Sequence, residues 1–160
     1  MHGFLETCNL SATTLGEVEN AVRERISQGV MEQEDLELAP VLSRILSSPL
    51  FASFAGKRIL REKEFTMRLY EDGMGKEEGS VLQGVIDLLA LGEKEGVLVD
   101  YKYSSRKAQD IWQTYRLQLD LYARAAEAFY GIKIVKRVII NLTNGEMIEG
   151  RGEDLCSTTY

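Results

Sequence analysis

The stretch VLVDYKYSS at 97–105 runs three apolar residues into an aspartate and places a lysine two positions later. Strand alternation sends Asp100 and Lys102 to the same face, about 7 Å apart, so they share whatever site that face forms. At a fraying strand end the two would be a weak surface ion pair. Held together on an apolar strand, they could instead help bind a cation and steady a phosphate. The neighbouring elements decide between these readings.

A second charge interrupts an apolar run in GVIDLL, at Asp87. The turn-like GEKEG at 92–96 joins VLQGVIDLLAL (81–91) to VLVDYKY (97–103), and the two segments are expected to pair as an antiparallel hairpin. A turn centred near residues 93–94 sets Asp87 opposite Asp100, because both pairs of residue numbers have the same sum. Two carboxylates buried side by side repel, so one must take a proton or a cation must lie between them. A hard, oxygen-liganded ion is the economical solution, and Mg²⁺ characteristically takes one or two carboxylates plus phosphate oxygens. Glu62 lies on the preceding strand. The constellation is then Glu, Asp and Asp-x-Lys on three neighbouring strands.

The elements that must hold this constellation differ in texture. From about 15 to 55, LGEVENAVRERI and EQEDLELAPVLSRILSSPLFASF space their apolar residues at three and four, with breaks near Gln28-Gly29 and at Pro40 and Pro49. This half is expected to be helical. Alternation then takes over, with Phe65, Met67 and Leu69 on one side and Glu64, Thr66 and Arg68 on the other. The glycine-bearing segment at 71–79 reads as a loop. DIWQTYRLQLDLYARAAEAFYG at 110–131 is a strongly amphipathic helix closed by Gly131, IKIVKRVIINL at 132–142 is another strand, and the polar tail from Asn144 is a loose or edge segment.

These residues resemble the PD-(D/E)xK nuclease superfamily, and more narrowly the RecB-type nuclease domain at the C-terminus of bacterial ATP-dependent helicase–nucleases such as AddA. REKEF at 61–65, GVID at 84–87, VDYK at 99–102 and QLDLY at 118–122 carry the resemblance, which covers roughly residues 1–145. It implies a restriction-endonuclease-like α/β core, a mixed central sheet flanked by helices, preceded by a helical N-terminal segment. It further implies Asp87 and Asp100 as metal ligands, the Tyr101 carbonyl as a completing ligand, Lys102 as the catalytic lysine, and Gln118 with Tyr122 as a DNA-positioning pair. Glu62 matches the family's strand acid better than Glu64, which shares its strand. MHGFLE is similar to the family's N-terminal helix motif, in which Gly-Thr and a short spacer precede a metal-binding histidine; this assigns a ligand role to His2. Gly-Thr is missing here, which suggests a domain excised from a longer helicase–nuclease chain. The expected division is one nuclease domain over 1–160, with a helical segment at 1–56, a catalytic core at 57–142 and a tail at 143–160.

Composition bounds the remaining choices. The chain has 160 residues, 44% of them hydrophobic, which suits a single globular domain. It lacks a stretch of 18 apolar residues and a signal-peptide pattern, and Cys8 and Cys156 are unpaired in spacing, so a cytoplasmic protein with reduced thiols and no membrane association is expected. Two cysteines cannot build the four-cysteine iron–sulfur cluster that some relatives carry. The net charge of −6 disfavours indiscriminate DNA coating, although Lys57/Arg58/Arg61/Lys63, Arg106/Lys107 and Lys133/Lys136/Arg137 could guide a polyanion locally. No phosphate-binding Walker motif is present, so the chain cannot power translocation itself; the resemblance implies single-stranded DNA delivered by helicase domains of the parent chain with a second helicase–nuclease subunit. The cofactor expected is Mg²⁺, with Mn²⁺ as a substitute. The competing readings are a stand-alone exonuclease of phage or CRISPR-associated type and a catalytically silent DNA-binding scaffold.

Overall fold

The computed structural model describes residues 1–69 and 80–151. The expected loop at 71–79, Cys156 and the end of the tail lie outside the described residues. Five strands form one sheet in the order β1 (Arg58–Leu69), β2 (Ser80–Leu91), β3 (Glu95–Lys102), β4 (Lys133–Asn141) and β5 (Glu146–Arg151). All neighbours are antiparallel except β3 and β4, which run parallel. A parallel pair needs a crossover, and the long helix α5 (Ala108–Tyr130) supplies it. Gly131 ends that helix in the left-handed conformation, at φ 65°, as its position in the sequence predicts. The polar tail contributes β5, an edge strand.

The first half is helical, as expected: α1 (His2–Thr7), α2 (Leu15–Ser27), a 3-10 turn (Gln33–Leu38), α3 (Ala39–Leu46) and α4 (Pro49–Ala52). Thr14 and Glu17 cap α2 reciprocally, and the helix stops at the Gln28-Gly29 break. The prolines mark helix starts. Pro40 and Pro49 occupy first turns, where a missing N–H costs no helical bond.

Alternation along the central strands divides the core in two. Leu88, Ala90, Val97, Val99, Tyr101, Val138 and Ile140 pack under the N-terminal helices. Leu89, Leu91, Leu98 and Ile139 pack under Ile111, Leu119 and Ala126 of α5. One ion pair crosses the second layer: Arg137 of β4 meets Asp120 of α5, and both are buried. Among the described residues no helix is long and apolar enough to cross a membrane.

The hairpin has the predicted register, pairing Leu91 with Gly96 through to Leu88 with Val99. The ladder stops one step short of Asp87 and Asp100. Beyond it β2 continues with β1, and β3 continues with β4, so the sheet forks where the two aspartates would have faced each other.

Removing one partner of a buried ion pair takes the counter-charge from the other. Asp120→Ala should therefore cost about 3–5 kcal/mol in urea denaturation, and adding Arg137→Met should recover much of that loss.

Candidate metal centre

The fork is held by a side chain in place of a ladder. Asp87 Oδ2 accepts the Tyr101 backbone N–H at 2.7 Å, which ties β2 to β3 one step beyond their last paired residues. Across from it on β1, Glu62 adopts φ 48°, the only positive φ of a non-glycine residue among those described. Such a conformation is strained and persists where surrounding contacts impose it. The contacts are visible on either side. The Arg61 guanidinium donates from one nitrogen to the Glu6 and Cys8 carbonyls, at 3.0 and 2.8 Å, and so fastens the end of α1 to β1. Phe4, Leu5 and Cys8 are buried below.

That docking delivers His2 to the fork. Its Nδ1 lies 2.7 Å from Glu6 Oε1, its Nε2 lies 3.3 Å from Asp87 Oδ2, and its ring stands edge-on to Tyr101 with centroids 5.4 Å apart. His2, Glu62 and Asp87 each offer one ligand atom within 4.8 Å of the others. Glu6 fixes the imidazole so that Nε2 faces the carboxylates, the usual outer arrangement of a metal-binding histidine.

Asp100 and Lys102 sit beside this trio, forming an ion pair of 2.9 Å in which Asp100 is 3% exposed. The Lys102 ammonium also lies 4.8 Å from the centre of the Tyr115 ring. The sequence makes Asp87 and Asp100 the nearest carboxylates; the tight cluster instead joins Asp87 to Glu62 and His2, with Asp100 engaged by the lysine. Glu64 lies outside the cluster, along the grooves at the outer end of β1.

Electrostatics show a site short of positive charge. Burial raises the Glu62 pKa, and the neighbouring Asp87 and Glu6 carboxylates raise it further. Burial, together with Asp87, also raises Asp100, against the opposing pull of Lys102 and His2. For His2, burial alone would favour the neutral ring, but Glu6 and Asp87 outweigh it and the pKa is raised.

Gln118 and Tyr122 share a face of α5, as expected, and Gln118 Nε2 donates to the Tyr122 hydroxyl at 3.1 Å. Tyr122 packs edge-on against Phe65 with centroids 5.0 Å apart, over Gly84, where a Cβ would come within 2.9 Å of both rings. It is Tyr115 that reaches Lys102. Two of the basic clusters are smaller than their sequences suggest, since Arg61 is engaged by α1 and Arg137 is buried. Sequence reading misses Glu6 and the clamping role of Arg61. Glu6 stands four residues after His2, a helical spacing that could have exposed it; Arg61 acts across 55 residues of chain and leaves no local signal.

Comparison with known proteins gives the family. The family model of the PD-(D/E)XK nuclease superfamily matches residues 1–153. The chain belongs to that superfamily. Among curated relatives, an ATP-dependent helicase/nuclease subunit from Carboxydothermus hydrogenoformans is 35% identical over 136 residues, 73% of this chain and 11% of its own length. The corresponding protein of Streptococcus sanguinis is 37% identical over 93 residues, 58% of this chain and 7% of its own. The chain thus spans about a tenth of these relatives. Among solved structures, SSO0001 aligns with 88% of this chain and 62% of its own at 15% identity, with a TM-score of 0.42, too loose a likeness to carry weight.

PD-(D/E)XK nucleases generally use a divalent metal, and the residues here fit one. Two carboxylates and an imidazole converge, their negative charge is only partly offset, and each would be relieved by a cation. Because the fork raises both the Glu62 and His2 pKa values, protons compete with metal at both positions. Mn²⁺ affinity measured by calorimetry should therefore rise with pH through the carboxylate range and on past the ordinary imidazole range before it levels off. Glu6→Gln should weaken it about 10–100-fold through the imidazole it orients, and Asp87→Asn by at least as much.

Proposed function

We propose that the chain is the nuclease module of an ATP-dependent helicase–nuclease: a Mg²⁺-dependent hydrolase of DNA phosphodiesters, able to use Mn²⁺, that acts in double-strand-break repair or recombination. Its substrate is single-stranded DNA delivered by helicase domains of a longer chain working with a second helicase–nuclease subunit. The observation that carries this reading is the convergence of His2, Glu62 and Asp87 beside the Asp100–Lys102 pair. The names of the relatives, helicase/nuclease subunits, support the wider assignment.

Hydrolysis of a phosphodiester needs a water in line with phosphorus, neutralisation of the charge that builds on the phosphoryl oxygens, and relief for the departing 3′ oxygen. In this reading Asp87 and Asp100, with Glu62, His2 and the Tyr101 carbonyl, hold the cation. A bound divalent cation supplies water activation and charge neutralisation. Asp100 holds the Lys102 ammonium at 2.9 Å, so its charge is preorganised toward a phosphoryl oxygen or the attacking water. Gln118 and Tyr122 sit over the outer β1–β2 ribbon, a position suited to aligning the DNA backbone. With a net charge of −6, the chain by itself should bind DNA weakly and lose it steeply with salt.

The direct test incubates labelled single- and double-stranded DNA with Mg²⁺, Mn²⁺, Ca²⁺ or chelator. Cleavage is expected in Mg²⁺ and Mn²⁺ and absent in chelator. Asp87→Ala, Asp100→Ala and Lys102→Ala should each lower it at least about 100-fold, with Lys102→Ala still binding Mn²⁺. Metal-independent cleavage, or a folded and fully active Asp100→Ala protein, would overturn the assignment.

Gln118→Ala and Tyr122→Phe separate positioning from metal binding. Both should keep Mn²⁺ affinity while slowing single-turnover cleavage, since a small misplacement of phosphate and water is costly. Unchanged cleavage in both would reduce the pair to a packing role.

A further inference from the structure

Tyr103 follows Lys102 directly and is 59% exposed, yet its backbone is fixed on both sides. The Lys102 carbonyl accepts the Leu142 N–H at 2.8 Å. Asn141, fully buried, accepts the Ser104 N–H at 3.3 Å and donates Nδ2 to the Ser104 carbonyl at 2.8 Å. Thr143 Oγ1 adds a second acceptor for the Ser104 N–H at 3.2 Å. The tyrosine is thus presented from a clamped turn, and its hydroxyl interacts with the backbone of His2.

This places an open aromatic ring beside the cluster. Tyr101, two residues earlier, is buried against the edge of the His2 ring, and Tyr103, just past the end of β3, meets the backbone of the same residue. Lys102 projects to the other side, toward Tyr115. That contact with the His2 backbone keeps the Tyr103 ring beside the cluster, so a phosphate held there leaves the base of an adjoining nucleotide within reach of the ring. Exposing so large an aromatic surface gains nothing in the free protein, and holding it rigid lowers the entropy lost when something flat is laid on it.

We propose that Tyr103 is a stacking plate for the nucleobase next to the scissile phosphodiester, fixing the strand on the cluster from the base side. The inference rests on the nuclease reading above and adds a substrate contact to it. Every base has a π-face, so the plate would hold the strand without preferring a sequence.

The test uses single-stranded oligonucleotides in two arms. In the first, with Ca²⁺, a 2-aminopurine is walked along the strand and its fluorescence followed on binding. Wild type and Tyr103→Phe should quench it at one register and Tyr103→Ala should not. In the second, with Mn²⁺, single-turnover cleavage is measured beside an abasic site. Tyr103→Ala should raise the concentration for half-maximal cleavage about tenfold on the intact strand and add almost nothing on the abasic one, with the maximal rate little changed. Equal losses on intact and abasic strands, or quenching that survives in Tyr103→Ala, would overturn the plate while leaving the nuclease reading in place. If wild type cleaves nothing, the nuclease reading falls, and the quenching arm still decides whether a base lies on Tyr103.

Discussion

The hydrogen bond from the Tyr101 N–H to Asp87 is the contact on which the arrangement at the fork depends. A continued β2–β3 ladder would have set the Asp87 and Asp100 carboxylates face to face on one side of the sheet. The ladder ends at Leu88 and Val99, and the Asp87 side chain takes the backbone donor that a ladder partner would have taken. The exchange keeps a buried N–H satisfied while separating two like charges. It also turns the chain. Ile86 joins the α5 core and Leu88 the opposite one, so the alternation of β2 changes face at Asp87.

With the sheet open, the two layers contribute different chemistry to one place. The N-terminal layer brings His2, on a six-residue helix far too short to be stable alone. Its position is imposed by burial of Phe4 and Leu5 and by Arg61 gripping its last carbonyls. The α5 layer brings Tyr115 against Lys102, and Asp100 lies buried between that lysine and the fork. Glu62 bridges the two by abandoning ordinary strand geometry. The strain at Glu62 and the unbalanced charge are local costs of the site, borne by apolar packing on both sides of the sheet.

Much of this is legible from residue order because the relevant interactions are periodic or short in range. The hairpin register follows from a brief turn and a period of two, and the helix over 110–131 from its apolar stripe and terminal glycine. The membership of His2 in the cluster comes from family resemblance, since a lone histidine near a chain start has no periodicity to betray it. Other features are not legible, for physical reasons. The left-handed backbone at Glu62 answers to contacts on both neighbouring elements, and no glycine advertises it. Arg61 and Arg137 look like surface charges in sequence, and only tertiary structure shows one engaged by helix carbonyls and the other paired within the core. Pro40 and Pro49 read as interruptions because proline ends one helix and begins another with the same residue.

The fork also links metal chemistry to stability. Burial and neighbouring like charge disfavour the ionised forms of Glu62 and Asp100, a cost that His2 partly offsets while Glu6 and Asp87 hold its ring protonated. A cation that binds the folded fork and not the open chain returns free energy in proportion to the logarithm of its concentration over its dissociation constant, about 2.7 kcal/mol at a hundredfold excess. Such a cation would meet Asp87 where the β2–β3 ladder ends and the β1–β2 ladder skips a pair, and His2 where α1 docks. Relief of the same like-charge repulsion is what a single cation shared by His2, Glu62 and Asp87 would supply. The cation and the Lys102 ammonium, held at 2.9 Å by Asp100, would then stand side by side at the end of β3.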